Sequence, residues 1–343
     1  MGENTKVEYV KHSFSPWWGC SRKSRGCKAC FAADNARRWG HSDLWHLHGP
    51  RRVVSDDQWR KPLKWNREAE QEGVRARILC GTMCDVFEDH PAVPGARARL
   101  FDLVAATPWL LWLFFTKRPE NVNDLVPWGD DWPDNTGLIA STEDQNAVDE
   151  RVPLVLSTAA PLKGLSVEPL VGPATLSMCS WAPPGGEGLA GVHNPLTGEW
   201  WPAVGDCAEE YAGRRTDQAR LDWIIVGGES GRKASPMHPR WVSDLYRECQ
   251  DSNVPMWLKQ WGEWAPVVGG TGGDAWTHPD RHVWVDPRTG KTKPFGAFTG
   301  GDDMDWAHMR RAGKGAAGHL LDGREIEELP AAAYLIPGGR HAA

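Results

Sequence analysis

Between Trp17 and Cys30 the chain reads WWGCSRKSRGCKAC, and Cys20, Cys27 and Cys30 stand there with six and then two residues between them. Thiolates are soft ligands that select zinc or iron–sulfur clusters over hard cations. A structural zinc site closes a tetrahedron with four ligands, so zinc here needs a fourth from His12, His41, Cys80 or Cys84. A [4Fe–4S] cube held wholly by protein also takes four thiolates. Three would leave one iron open to bind and activate a small molecule. The other cysteines, Cys80, Cys84, Cys179, Cys207 and Cys249, are scattered, as inert core thiols are.

A second set of polar candidates stands where apolar runs end. Thr82 lies at the end of RARILCGTM (75–83) and Asp85 just past it, and Thr116-Lys117-Arg118 close WLLWLFFTKR (109–118). Ser141 and Glu143 close TGLIASTE (136–143), and Ser166 and Glu168 close LKGLSVEP (162–169). Gly227-Gly228-Glu229 lie in LDWIIVGGESG (221–231), and Lys259 lies in VPMWLKQWGEW (254–264). Any one of these residues would serve equally as a cap or a buried ion-pair partner. As a ring they predict a site.

The runs themselves must position that ring. Short, nearly continuous apolar stretches indicate strands buried on both faces, and the spacers Gly95–Ala106, Gln145–Thr158 and Pro239–Ser252 are helix-like. Alternation of the two kinds makes parallel βαβ units. With VEYVKHSF (7–14) just before the cysteines, seven runs predict an α/β fold, a complete or partial (β/α) barrel of parallel strands. In such barrels the C-terminal strand ends surround one mouth, and active sites form there.

Two stretches break the rhythm. Residues 177–218 are rich in Pro, Gly and Trp, and residues 265–315 in Gly, Asp, His and Trp, so both read as loop or lid insertions. The expected organisation is a barrel core over 1–264 that carries the 177–218 insertion. A C-terminal lid or extension follows over 265–343 and returns to the core near 319–330. The N-terminus lacks the apolar segment of a signal peptide, and no run of about 18 apolar residues exists, which predicts a cytoplasmic protein with no membrane partner.

The net charge of −6 argues against a general polyanion binder, yet residues 15–67 hold twelve Lys/Arg against four Asp/Glu. That predicts one basic face on an acidic body, or simply a solvated surface. The 21 Trp against 4 Tyr fill the core or, in part, stack on nucleobases.

A three-cysteine loop directly after the first strand of a (β/α) barrel resembles the radical S-adenosylmethionine superfamily. More narrowly, the chain resembles the phage-associated three-cysteine-motif proteins of that superfamily. The stretches that carry this are WWGCSRKSRGCKACFA, GTMCDVFED, FFTKRPENV, ASTEDQNAVDERVPLV, LSVEPLVGP, the long run from WIIVGGESG to LKQWGEW, and LLDGREIEELP. They cover most of the chain outside the two insertions. The common superfamily spacing has three residues between the first two cysteines, where this chain has six.

The resemblance implies that Cys20, Cys27 and Cys30 ligate three irons of a [4Fe–4S] cluster, and that S-adenosylmethionine chelates the fourth. Reductive cleavage of the sulfonium then releases a 5′-deoxyadenosyl radical. By strand order, Thr82, Asp85, Ser141 and Glu143 are expected to hold S-adenosylmethionine, joined by Gly227 and Gly228, whose Gly-Gly-Glu run is similar to the superfamily's signature but lies on a different strand. Lys117, Glu168, Glu229 and Lys259 are expected to contact substrate, with Arg118 as a further anion partner. The implied reaction is an isomerisation in the hypermodification of viral DNA: a glycine joined through nitrogen to the 5-methylene of thymidine becomes joined through its α-carbon. The implied partners are modified DNA or a nucleotide and an electron donor such as flavodoxin or ferredoxin, in the host cytoplasm. Trp17, Trp18, Trp261 and Trp264 are candidates for stacking on the base. Alternatives are another radical modification of nucleic acid or protein, such as photolesion repair, and a non-enzymatic zinc or iron–sulfur module.

Overall fold

The computed structural model describes residues 2–181, 191–202, 215–268, 273–297, 305–337 and 340–341. Seven strands form its main sheet: β1 (His12–Phe14), β2 (Ala76–Cys80), β3 (Leu110–Thr116), β4 (Thr136–Thr142), β5 (Lys163–Val167), β6 (Trp223–Gly227) and β7 (Met256–Gln260). They lie side by side in chain order, and every neighbouring pair is parallel. The sheet curls into a half-barrel rather than closing. Tyr9, just before β1, shows the concavity: its ring touches Phe115 of β3 at 6.3 Å, Trp223 of β6 at 5.5 Å and Trp257 of β7 at 5.9 Å.

Period-two alternation sorts the apolar residues into two cores. Leu79, Leu113, Ile139, Ile225 and Trp257 fill the concave side with Tyr9. Ile78, Phe114, Leu138, Leu165, Val226 and Leu258 face the convex side, in one core with the helices. Those helices are α1 (Phe31–Arg38), α2 (Asp56–Glu72), α3 (Pro94–Ala105), α4 (Gln145–Leu156) and α5 (Pro239–Asp251). The last three follow the sequence expectation within two residues at each end.

Helix α2 is not among the spacers named from the sequence, and Pro62 lies inside it. An interior proline costs about 3 kcal/mol. The buried stripe Trp59, Pro62, Trp65 and Ala69 outweighs that, since each large apolar side chain removed from water contributes roughly 1.5–3 kcal/mol.

Within 177–218 the described residues form a three-stranded antiparallel sheet: Cys179–Trp181, Gly191–Asn194 and Glu199–Pro202. Cys207 lies outside the described residues. Residues 264–311 contribute a four-stranded antiparallel sheet, from Trp264–Pro266, Ala307–Arg311, His282–Val285 and Thr292–Pro294. The chain then returns to the main sheet. The Leu258 N–H donates to the Ile326 carbonyl at 2.8 Å, and the Glu328 N–H donates to that of Met256 at 3.0 Å. This segment covers part of β7, whose edge would otherwise be unpaired. Among the described residues no helix is long and apolar enough to cross a membrane.

Candidate active site

The cysteine loop leaves β1 at the C-terminal edge of the sheet and is held there by buried charge. Gly19, at φ +118°, makes the turn possible: a Cβ there would meet the Leu44 carbonyl at 2.8 Å. Just past Cys20, the Ser21 N–H and hydroxyl donate to Glu88 at 2.8 and 2.6 Å. Arg51 clamps that carboxylate with two bonds of 2.8 Å, which hold it below the usual carboxylate range against its burial. Arg118 joins them, donating to the Ser21 carbonyl at 2.8 Å and to Asp85 at 3.0 Å, with Cys20 Sγ 3.7 Å away.

A second anchor lies between Cys20 and Cys27. The Gly26 N–H donates to Glu143 Oε1 at 3.1 Å, and Glu143 Oε2 faces Arg151 at 2.9 Å and Lys117 at 3.5 Å. Burial works against the Glu143 charge, but Lys117, Arg151 and the Gly26 N–H outweigh it and bring its pKa to about 2. A Cβ at position 26 would meet the Glu143 carboxyl at 3.2 Å and Lys117 Nζ at 3.3 Å, so a larger residue there would press on this ion pair.

Below the loop a cavity of about 750 Å³ opens into the concave face of the half-barrel. That size is ordinary for a cofactor or small-molecule site. Cys30, Phe31 and Trp39 form one wall, Tyr9, Leu79 and Phe115 an apolar part, and Thr82, Ser141, Ser166, Glu168, Gly228, Glu229 and Lys259 a polar rim. Lys259 Nζ grips both oxygens of Glu168 at 2.8 and 2.9 Å and lies 6.0 Å from the Tyr9 ring centroid. Burial disfavours the Lys259 cation, but Glu168 overrides it and holds its pKa above the usual lysine value. Thr82 shares a 3.0 Å hydrogen bond with Ser15, and Glu229 accepts one from the Ser235 N–H at 2.7 Å.

The structure thus brings together Thr82, Ser141, Glu168, Gly228, Glu229 and Lys259 with Cys30 around one cavity. It places Asp85, Glu143, Lys117 and Arg118 elsewhere, in the ionic network that holds the cysteine loop. Gly227 is likewise not in the wall. A Cβ there would meet the Glu168 carboxyl at 3.1 Å, so the glycine leaves room for the Glu168–Lys259 bridge to pass over β6. Trp17, Trp261 and Trp264 are buried and cannot stack on a ligand, unlike half-buried Trp18. Sequence reasoning missed Ser21, Gly26, Arg51, Glu88 and Arg151, because only the fold shows that they meet the cysteine loop.

The thiols of Cys20, Cys27 and Cys30 are free and partly buried. Among the described residues no three or more His, Cys, Asp or Glu side chains are gathered into a ligand shell. The donor set nevertheless fits a thiolate-held cluster. Cys27 is near enough to bear on the charge of both Cys20 and Cys30. Burial pushes those two thiols up, and Cys27 adds to that. Arg118 beside Cys20 and Lys117 near Cys30 oppose it only in part, so the bound iron itself would have to stabilise the thiolates. Lys117 Nζ is buried with Glu143 as its ion-pair partner and has no hydrogen-bond acceptor among the described residues. His12 is no alternative ligand from this loop: it packs flat on Trp65 at 4.3 Å on the convex side.

The sequence profile of DUF5131, described as a protein of unknown function, matches residues 4–330. The chain belongs to that family. The match runs through the half-barrel, both antiparallel sheets and the returning segment, so the cysteine loop and the cavity lie within the family's common region. No curated protein and no solved structure matches the chain.

Proposed function

We propose that this DUF5131 protein is a radical S-adenosylmethionine enzyme that isomerises N-linked glycyl-thymidine to its C-linked form in modified DNA. The observation that carries the reading is a three-thiol loop on the C-terminal edge of a parallel half-barrel, with Cys30 in the wall of a 750 Å³ cavity. Cys20, Cys27 and Cys30 would hold the [4Fe–4S] cluster, which when loaded supplies electron transfer to the sulfonium of S-adenosylmethionine.

The chain's own residues do the rest. Thr82, Ser141, Ser166 and the Gly228 backbone offer neutral polar groups along one rim, suited to the ribose and methionine parts of the cofactor. Lys259 and Lys314 line the same cavity, and Lys259, already paired with one carboxylate in Glu168, is the cation suited to the glycyl carboxylate. The apolar surface from Tyr9, Leu79 and Phe115 excludes water from a radical. The isomerisation is redox-neutral: a hydrogen leaves the glycyl α-carbon, the methylene–nitrogen bond breaks as a methylene–carbon bond forms, and a hydrogen returns to the freed nitrogen.

The cysteine loop supplies the test. Anaerobically reconstituted protein should hold about four irons, and Cys20→Ala, Cys27→Ala or Cys30→Ala should each abolish them while Cys179→Ala does not. Equal loss on Cys84→Ala, whose buried thiol lies close to Cys20, would mean a closed four-thiol site and end the open-iron reading. Deuterium at the glycyl α-carbon should appear in 5′-deoxyadenosine.

A further inference from the structure

A second cavity, of about 580 Å³, lies beside the first. Trp18 and Trp39 line both, so the two share an aromatic wall. The far side carries His41, Arg52 and Lys61, and no Asp or Glu lines the cavity. Trp39 is 58% exposed, although most tryptophans of this chain are spent on the core. Its indole contacts that of Trp18 at 5.4 Å between centroids, tilted by 31°. A base sandwiched between two rings would need about 7 Å, two van der Waals contacts in series. The open face of Trp39 is therefore the stacking surface, with Trp18 as its backing. Arg52 is braced by His41 at 3.1 Å, and among the described residues neither Arg52 nor Lys61 is in an ion pair. One exposed aromatic face beside two cations outside any ion pair, with no carboxylate in the lining, has the chemistry to bind a nucleotide: a base to stack, a phosphate to neutralise.

We infer that this second cavity binds a nucleotide that flanks the reacting one on the same strand, its base on Trp39 and its phosphate on Arg52 and Lys61. The inference rests on the nucleic-acid reading above. It explains why the shared wall is aromatic: the strand passes from one cavity to the other over Trp18 and Trp39, with the reacting nucleotide on the thiol side. The substrate on this account is polynucleotide in single-stranded or flipped-out form, since a paired and stacked base cannot reach an indole.

The test is binding of the full chain to a labelled single-stranded DNA of about twelve nucleotides, followed by fluorescence anisotropy across a salt series. Trp39→Ala should weaken binding about tenfold or more. Arg52→Gln and Lys61→Gln should each lower the slope of log affinity against log salt by about 0.7, one phosphate contact on a single strand. Trp276→Ala removes an indole that is 83% exposed and packed on Phe295, and should change nothing. Thermal melts establish that each variant is folded. Binding by folded Trp39→Ala within twofold of the parent would overturn the site, as would equal weakening by Trp276→Ala. Thymidine monophosphate competing as well as the oligonucleotide would overturn the flanking-strand assignment. This binding requires no cluster, so its failure is distinguishable from failure of the radical reading, which iron content reports separately.

Discussion

Two carboxylate–lysine pairs stand at the C-terminal strand ends, and they do different work. Glu143 meets Lys117 and Arg151 beneath the cysteine loop, with side-chain exposures of 2% and 1% for Glu143 and Arg151. Glu168 meets Lys259 in the cavity wall, both about one-fifth exposed. The first carboxylate is sealed, although Lys117 is 18% exposed, and it also accepts a loop N–H, so it fixes backbone. The second faces space a ligand can enter, and its lysine can exchange one carboxylate for another. The same two residue types thus form a clamp in one place and a binding group in the other, and burial with hydrogen-bond saturation decides which.

The largest effect should come from breaking the clamp. Glu143→Gln leaves Arg151 and Lys117 buried without their counter-charge, which costs about 3 kcal/mol. The urea midpoint should fall, and iron incorporation should fall with it because Gly26 loses its anchor. Normal iron content in this variant would show that the clamp does not position the cysteines.

A pH titration of stability probes the same residue without mutation. The folded pKa of Glu143 is about 2 against 4.5 for the free group, so its contribution is present in full above 4.5. It is lost as pH falls from 4.5 toward 2, by on the order of 3 kcal/mol over that window. Urea melts at stepped pH should show this slope in the parent chain and a shallower one in Glu143→Gln.

Lys259→Met should sharpen the contrast. The pair it breaks is less buried than the Glu143 clamp, so the stability cost should be smaller than in Glu143→Gln. Iron content and the cluster spectrum should be unchanged, while substrate-stimulated cleavage of S-adenosylmethionine falls about a hundredfold, as on loss of one preorganised charge donor. An equal loss of iron in Lys259→Met and Glu143→Gln would erase the distinction between the pairs. The smallest effect is expected from Gly227→Ala. Its methyl would press on the Glu168 carboxyl from 3.1 Å, costing about 1 kcal/mol and weakening substrate coupling without touching the cluster.

The strands and their order were legible because their signal is local. Each apolar run carries its own length and alternation, and the helical spacers between runs dictate parallel neighbours. The three cysteines were legible for the same reason, their spacing being a property of one loop. Helix α2 was not named, and its buried stripe of Trp59, Pro62, Trp65 and Ala69 has meaning only once the sheet is there to receive it.

The roles of Glu143 and Glu168 lay beyond the sequence altogether. Ser141 and Ser166 are register partners on β4 and β5, and each glutamate follows its serine by two residues. In pattern the two are equivalent, and both were expected at the site. What separates them is which cation the neighbouring elements deliver: Lys117 from β3's end and Arg151 from α4 to one, Lys259 from β7 to the other. The sequence by itself determined the sheet, the thiol loop and a ring of polar strand ends, because hydrophobic period and residue spacing act over a few residues. Only the tertiary structure decided which members of that ring are sealed beneath the loop and which face the cavity, because a carboxylate's role depends on partners some eight to ninety residues away.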